Sequence, residues 1–261
     1  MNKRYQKVWD KWDQVKLQRQ IKFHREGRKK YIDLIKKYLK KGSEQKVLEV
    51  GCGSSIDSHL IAEETKAEVY GIDISEKALK IAKDVSLNFE EKVHLSIGDA
   101  RKLEFANDAF DLVFSQGLLE HFEKPVDILK EQIRVLKPGG ILIVNVPQKY
   151  TAYTVYKHLL SMLGRWEWGK ETEFSSWQLK WMGDHLGLEF LEKRGYDYWR
   201  SPFELTFVIK TLDHKIGKIP FVKKCSAYKN FSKFWKKKWG KVEDRYGYLF
   251  MKNIIYTYKK L

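Results

Sequence analysis

Apolar positions along the 261 residues change their period twice. Over 3–18, Tyr5, Val8, Trp9, Trp12 and Val15 recur at helical spacing and predict an amphipathic helix. Tyr31, Leu34, Ile35, Tyr38 and Leu39 share one face of a second helix, and Gly42 follows as its stop signal. From residue 47 short apolar runs alternate with helical stretches. Residues 47–50, 68–72, 93–97, 110–115 and 140–146 predict five strands, with helices over 56–66, 75–88 and 125–136 between them. Elements alternating at this length imply right-handed βαβ crossovers. The fold class is therefore α/β, a doubly wound and mostly parallel sheet.

Beyond Pro147 the pattern is less regular. A helix over 175–186 with Ser175 as its cap, a strand within 187–199, helices over 202–216 and 221–239, and a last strand within 247–258 are predicted. The organisation is an N-terminal helical cap (1–46), an α/β core (47–147) and a second half of the sheet (148–261). That last part carries a basic, aromatic helical insertion at about 200–245.

Composition adds little until charge is considered. A hydrophobic content of 43% without low-complexity tracts indicates a folded globular chain. The formal net charge of +16 is unevenly placed. Residues 1–46 hold 16 Lys/Arg against 5 Asp/Glu, and residues 207–241 hold 11 Lys against 1 Asp. Such flanks suit nucleic acid, an anionic membrane surface or an anionic substrate, or they are lysine-rich solvated faces. No stretch approaches the ~18–20 apolar residues of a membrane span. No apolar signal core follows the basic N-terminus. The expected location is cytoplasmic, with peripheral contact at an anionic membrane surface as a further option. Cys52 and Cys225 form no CxxC pair or Cys/His cluster, so no metal site is predicted.

The candidate chemistry gathers at three successive strand ends. Glu49-Val-Gly51-Cys52-Gly53-Ser-Ser55 follows the first strand and opens a helix, where glycines allow a tight turn and close approach of backbone to ligand. A dinucleotide is the obvious rival ligand, but its G-x-G-x-x-G signature needs a third glycine where this chain has Ile56. Asp57, expected in the first helical turn, would also repel a pyrophosphate placed there. Asp73 ends the second strand about 20 residues after the glycines, where a carboxylate can accept from both ribose hydroxyls. Asp99 follows the third strand, positioned to accept from an adenine amino group, with the Ala100 N–H available to a ring nitrogen.

VLEVGCGSS, YGIDIS, SIGDA, FDLVFSQGLLEHF and RVLKPGGILIVNVP resemble, in order and spacing over roughly 47–147, the motifs of class I S-adenosylmethionine (SAM) dependent methyltransferases. They most resemble the group acting on small molecules, sugars, quinones and lipids. The resemblance implies SAM as cofactor and a seven-stranded sheet whose last strand is antiparallel. Carried over by position, it sets Glu49 and Gly51 at the methionine end, Asp73 at the ribose, and Asp99 and Ala100 at the adenine. Ser115 and Gln116 border the sulfonium, and Cys52, Gly53 and Ile74 complete the cofactor set. Ser55 stands where many members have glycine. SAM has no phosphate and carries a positive sulfonium, so Asp57 is no obstacle to it.

Methyl transfer needs chiefly an aligned nucleophile, and a base only where the nucleophile must lose a proton. Glu120 and His121 are the candidate bases, and Arg25 and Arg28 candidate partners of the cofactor carboxylate. Motif IV reads Ser-Gln-Gly-Leu, not the Asn/Asp-Pro-Pro-Tyr/Phe run of enzymes acting on exocyclic amino groups. No double-glutamate loop or acidic metal trio is evident. The nine tryptophans lie mostly in the non-core segments, which are expected to converge as an aromatic, basic-rimmed cavity for a small-molecule or lipid-like acceptor. An RNA methyltransferase and a non-catalytic SAM-binding regulator remain the alternatives.

Overall fold

A computed structural model describes residues 14–39, 44–164, 171–196 and 251–261. Two helices come first, α1 (Gln14–Gly27) and α2 (Lys29–Lys37). The core then alternates β1 (Lys46–Val50), α3 (Ile56–Thr65), β2 (Glu68–Asp73), α4 (Glu76–Ser86), β3 (Val93–Ile97) and β4 (Phe110–Gln116). A 3-10 turn (Leu119–His121) leads to α5 (Pro125–Val135), β5 (Leu136–Pro147) and α6 (Ala152–Met162). Then come α7 (Ser176–His185), β6 (Leu188–Tyr196) and β7 (Asn253–Lys260).

The seven strands form one sheet in the order β3-β2-β1-β4-β5-β7-β6. All neighbours are parallel except β7, which runs antiparallel to both β5 and β6. The strand order reverses at β1, where Val50 is in register with Ile72 on one side and Ser115 on the other. In open α/β sheets such a reversal opens a crevice at the carboxyl ends of the strands, and ligands bind there.

Each face of the sheet buries its own core. Leu48, Val50 and Val113 pack toward α5 and α7 with Leu129, Leu179 and Met182. Val47, Val69, Leu112 and Phe114 face the opposite way, toward α1 to α4, meeting Leu17, Ile21, Tyr31 and Leu60. The N-terminal helices thus share the core of the sheet rather than standing apart from it as a cap. The described part of the first helix starts at Gln14 and runs to Gly27, past the predicted end at residue 18.

The five core strands and their three helices fall where the apolar pattern put them, within one to four residues. Ser175 caps α7 in a reciprocal capping box with Gln178. The predicted last strand is β7, six residues later at its start. Helix α6 was not foreseen. It buries Thr154 and Lys157 and leaves Val155, Leu159 and Met162, with the following Leu163, more than half exposed. Its amphipathic signal is therefore inverted. The predicted helices at 202–216 and 221–239, and the insertion that contains them, lie outside the described residues. So do Trp9, Trp12, Trp166, Trp168, Trp199, Trp235 and Trp239. Trp177 and Trp181, on α7, are exposed rather than lining an enclosed cavity.

Candidate active site

The glycine loop between β1 and α3 turns twice through left-handed backbone. Gly51 (φ 76°) and Gly53 (φ 53°) allow this because they lack a Cβ. A Cβ at Gly51 would lie 2.8 Å from Leu118 Cδ1, so a side chain there would strike the loop after β4. Gly51 N–H and Cys52 N–H both donate to Ile72 O, at 2.9 and 2.8 Å, which pins the loop over β2. Ser55 is left-handed too (φ 58°), and its buried hydroxyl has no hydrogen-bond partner among the described residues. A glycine at this position would take the same backbone without strain.

Asp73 ties the loop to the end of β2. One carboxylate oxygen accepts from Gly53 N–H and the other from Ser75 N–H, each at 2.9 Å. Burial raises its pKa above the ordinary carboxylate value, against the pull of these backbone donors. Ile74 beside it is exposed at the rim. Asp99, two residues past β3, is held by Arg101, whose Nε lies 3.0 Å from both carboxylate oxygens. That guanidinium holds the Asp99 pKa below its usual value. Ala100 is buried next to it.

Beneath the loop, Glu49 lies buried on the α3 face of β1 and accepts the Ser58 hydroxyl. Burial pushes its carboxyl well up, and the charge of Asp57 adds to the effect. Burial likewise pushes the Cys52 thiol well up, so it stays protonated. Asp57 does stand in the first turn of α3, but its charge is compensated. His24 Nδ1 lies 2.9 Å from one oxygen, and Arg28 forms a buried ion pair with the other. Burial would raise the Asp57 pKa, yet Arg28 and His24 outweigh it and hold it at about 2. Repulsion by Asp57 alone is therefore a weaker argument against a bound phosphate than the sequence suggested.

Arg28 also reaches the end of β4. With its amide oxygen turned inward, Gln116 accepts from both terminal guanidinium nitrogens at 3.1 Å. Arg25 points elsewhere, to an exposed pair with Glu63 at 2.6 Å, and so stands apart from the site. Ser115 turns its side chain into the core, where its hydroxyl faces Gln132 at 3.4 Å, leaving Gln116 as the polar side chain at that strand end.

The two candidate bases have opposite surroundings. His121 is exposed, although adjacent protein atoms lower its pKa. Glu120 is buried, its Oε2 has no hydrogen-bond partner among the described residues, and burial pushes its pKa up to about 8. Its Oε1 lies 3.5 Å from the place a Cβ would take on Gly117, directly after β4. Sequence reasoning missed the charges that reach this carboxyl, Glu171 and Lys157, and Glu173 that pairs with Lys157, because they come from the irregular stretch after β5. No group of three or more metal-ligating side chains occurs among the described residues.

The left-handed glycine cradle, the half-buried Asp73 and the Gln116 strand end meet at the reversal of strand order. These residues can hold a nucleoside carrying a polar tail, with a reacting centre above β4. The family profile described as "Methyltransferase domain" matches residues 31–196. A demethylmenaquinone methyltransferase of Listeria monocytogenes is 29% identical, over 77% of this chain and 88% of its own. Phosphoethanolamine N-methyltransferase 3 of Arabidopsis thaliana is 29% identical, over 46% of this chain and 24% of its own. Among solved structures, a possible histamine N-methyltransferase of Thermotoga maritima shares the fold with a TM-score of 0.59. It is 18% identical, and the match covers 95% of this chain and 96% of that one. Phosphoethanolamine N-methyltransferase 2 of Haemonchus contortus, solved with S-adenosyl-L-methionine, gives a TM-score of 0.55 at 21% identity. That match covers 88% of this chain and 52% of that one.

Proposed function

The chain belongs to the class I SAM-dependent methyltransferases, and on that premise we propose that it methylates a small-molecule or lipid-like acceptor in the crevice above β1 and β4. The observation that carries the reading is the Asp73–Gly53 hydrogen bond of 2.9 Å, which joins the glycine loop and the acidic strand end into one cradle. In this reading Gly51, Cys52 and Gly53 pass close to the methionine portion, with Glu49 beneath them. Asp73 and Ile74 take the ribose, and Asp99 and Ala100 the adenine. Gln116, steadied by Arg28, borders the sulfonium. When bound, SAM supplies an electrophilic methyl carbon on a positive sulfur.

This chain's residues then have to align the acceptor and receive its proton where one is lost. Glu120 suits that task better than His121. It is buried beside Gly117, and its free carboxyl oxygen is short of a partner. Incubation with methyl-labelled SAM and fractionated cell extract tests the reading. Label is expected in the small-molecule or lipid fraction. Label in RNA alone would favour an RNA methyltransferase, and SAM retained without turnover on any fraction would favour a regulator.

A lipid-like acceptor met at an anionic membrane surface has support of its own. Val155, Leu159, Met162 and Leu163 form an exposed apolar stripe on and just past α6, and the chain as a whole carries a net charge of +16. Vesicles containing anionic lipid are expected to sediment the protein at low salt and release it at high salt. Absence of sedimentation would remove the membrane reading.

A further inference from the structure

Lys157 is the only buried lysine among the described residues, its side chain 7% exposed. It projects from the inward face of α6 to two carboxylates, Glu171 at 3.0 Å and Glu173 at 2.6 Å. His158 approaches the same Glu173 oxygen at 3.3 Å. The stretch bearing these carboxylates is held against the catalytic rim by Phe174 N–H to Pro147 O at 2.9 Å and Thr172 N–H to Glu120 O at 3.0 Å. The ion-paired cluster is thereby fixed beside Glu120. Burying an ammonium is unfavourable even when it is paired, and an apolar residue of similar volume often packs there as well or better. A buried lysine clamped close to a carboxyl with one unpartnered oxygen therefore calls for a role beyond packing.

We propose that Lys157, gripped by Glu171 and Glu173, is a positioning residue for the reaction at Glu120, its buried positive charge favouring the carboxylate form that can receive a proton from the acceptor. With SAM bound, the acceptor atom's electron pair would form the bond to the methyl carbon as the carbon–sulfur bond breaks with its pair going to sulfur, which would leave as a neutral thioether, and the acceptor's proton would pass to the Glu120 carboxylate. The charges that reach Glu120 come from three elements. Burial opposes its carboxylate most and Glu171 on the connection to α7 opposes it further, while Lys157 on α6 and, more weakly, Lys252 just before β7 favour it. His121, on the same turn, feels Glu171 and Lys157 in the same senses. The inference rests on the reading of Glu120 as proton acceptor.

The test is a carbon-13 titration of the glutamate carboxyls in the full-length protein, with neither cofactor nor acceptor. One resonance is expected to titrate well above the others and to vanish in Glu120→Gln, which assigns it. Lys157→Met is expected to raise its midpoint by about one pH unit or more, and Lys157→Arg to restore it. An unmoved midpoint in a folded Lys157→Met protein would overturn the proposal. Should Lys157→Met fail to fold, Glu171→Gln is expected to lower the midpoint, and no shift there would overturn it equally. Undiminished methyl transfer by Glu120→Gln into the labelled extract fraction would remove the underlying reading instead, whatever the titration gave.

Discussion

Arg28 and Asp57 form an ion pair almost wholly out of water, with side chains 9% and 2% exposed. The pair joins the start of α2 to the first turn of α3, and through Gln116 it touches the end of β4 as well. Arg28→Met would leave the Asp57 carboxylate buried without its main counter-charge. Removing one partner of a buried pair costs about 3–5 kcal/mol. Urea denaturation is expected to show a loss of that order, partly recovered when Asp57→Asn is added. A loss within about 0.5 kcal/mol would mean that His24 alone satisfies Asp57.

Asp73 is expected to matter for cofactor binding more than for folding. A hydrogen bond to an ionised group contributes roughly 1.5–3 kcal/mol. Asp73→Ala should weaken SAM binding by at least about tenfold in a calorimetric titration. Unchanged affinity would remove Asp73 from the cofactor site, and binding of NADH in place of SAM by the unaltered protein would overturn the cofactor assignment.

Glu120 makes stability depend on pH in a definite direction. Its folded pKa of about 8 lies above the ordinary carboxyl value, so the folded protein holds a proton that the unfolded chain releases. The stabilising contribution is complete below the unfolded pKa and is lost as pH rises toward about 8. Glu120→Gln cannot lose that proton. It should therefore melt higher than the unaltered protein near pH 9, and the gap should close on acidification. A gap independent of pH would contradict the buried, protonated carboxyl. If Glu120 receives the acceptor's proton, methyl transfer to a hydroxyl should also rise with pH through about 8.

Ser55 occupies backbone that favours glycine, at φ 58°, with its hydroxyl buried and lacking a partner among the described residues. Left-handed backbone costs a non-glycine residue roughly 1–2 kcal/mol. The greater freedom of an unfolded glycine takes back part of that. Ser55→Gly is expected to raise the melting temperature modestly and leave SAM affinity unchanged. A fall in melting temperature would show that the serine hydroxyl contributes more than the geometry allows.

The sheet was legible in the sequence because its central strands, β1 and β4 above all, are buried on both faces and read as short apolar runs between turn residues. Glu49, Asp73 and Asp99 were legible for a related reason, since each follows or interrupts such a run at its carboxyl end. Helix α6 was hidden, because Thr154 and Lys157 face inward while Val155 and Leu159 face out. The cluster around Glu120 was hidden too: Lys157, Glu171 and Glu173 come together through tertiary pairing of the stretch at Phe174 with the chain after β5, and of Thr172 with Glu120. The directions of the Ser115 and Arg25 side chains were not legible, because sequence proximity to a site does not fix which way a side chain turns. Burial against Gln132 took the first away, and Glu63 took the second.

The place of β7 has a consequence for how the chain comes to be folded. Among the described residues it is the seventh strand in chain order, yet it lies between β5 and β6, and β6 pairs there with no other strand. While the chain is being synthesised, the open edge of β5 and the whole of β6 must wait for residues 253–260 to leave the ribosome. The half of the sheet that holds the glycine loop can assemble well before that, since β1 to β4 need nothing downstream of β5. A growing chain would thus carry a formed nucleoside cradle beside an unsealed hydrophobic edge, the kind of transient surface on which chaperones act.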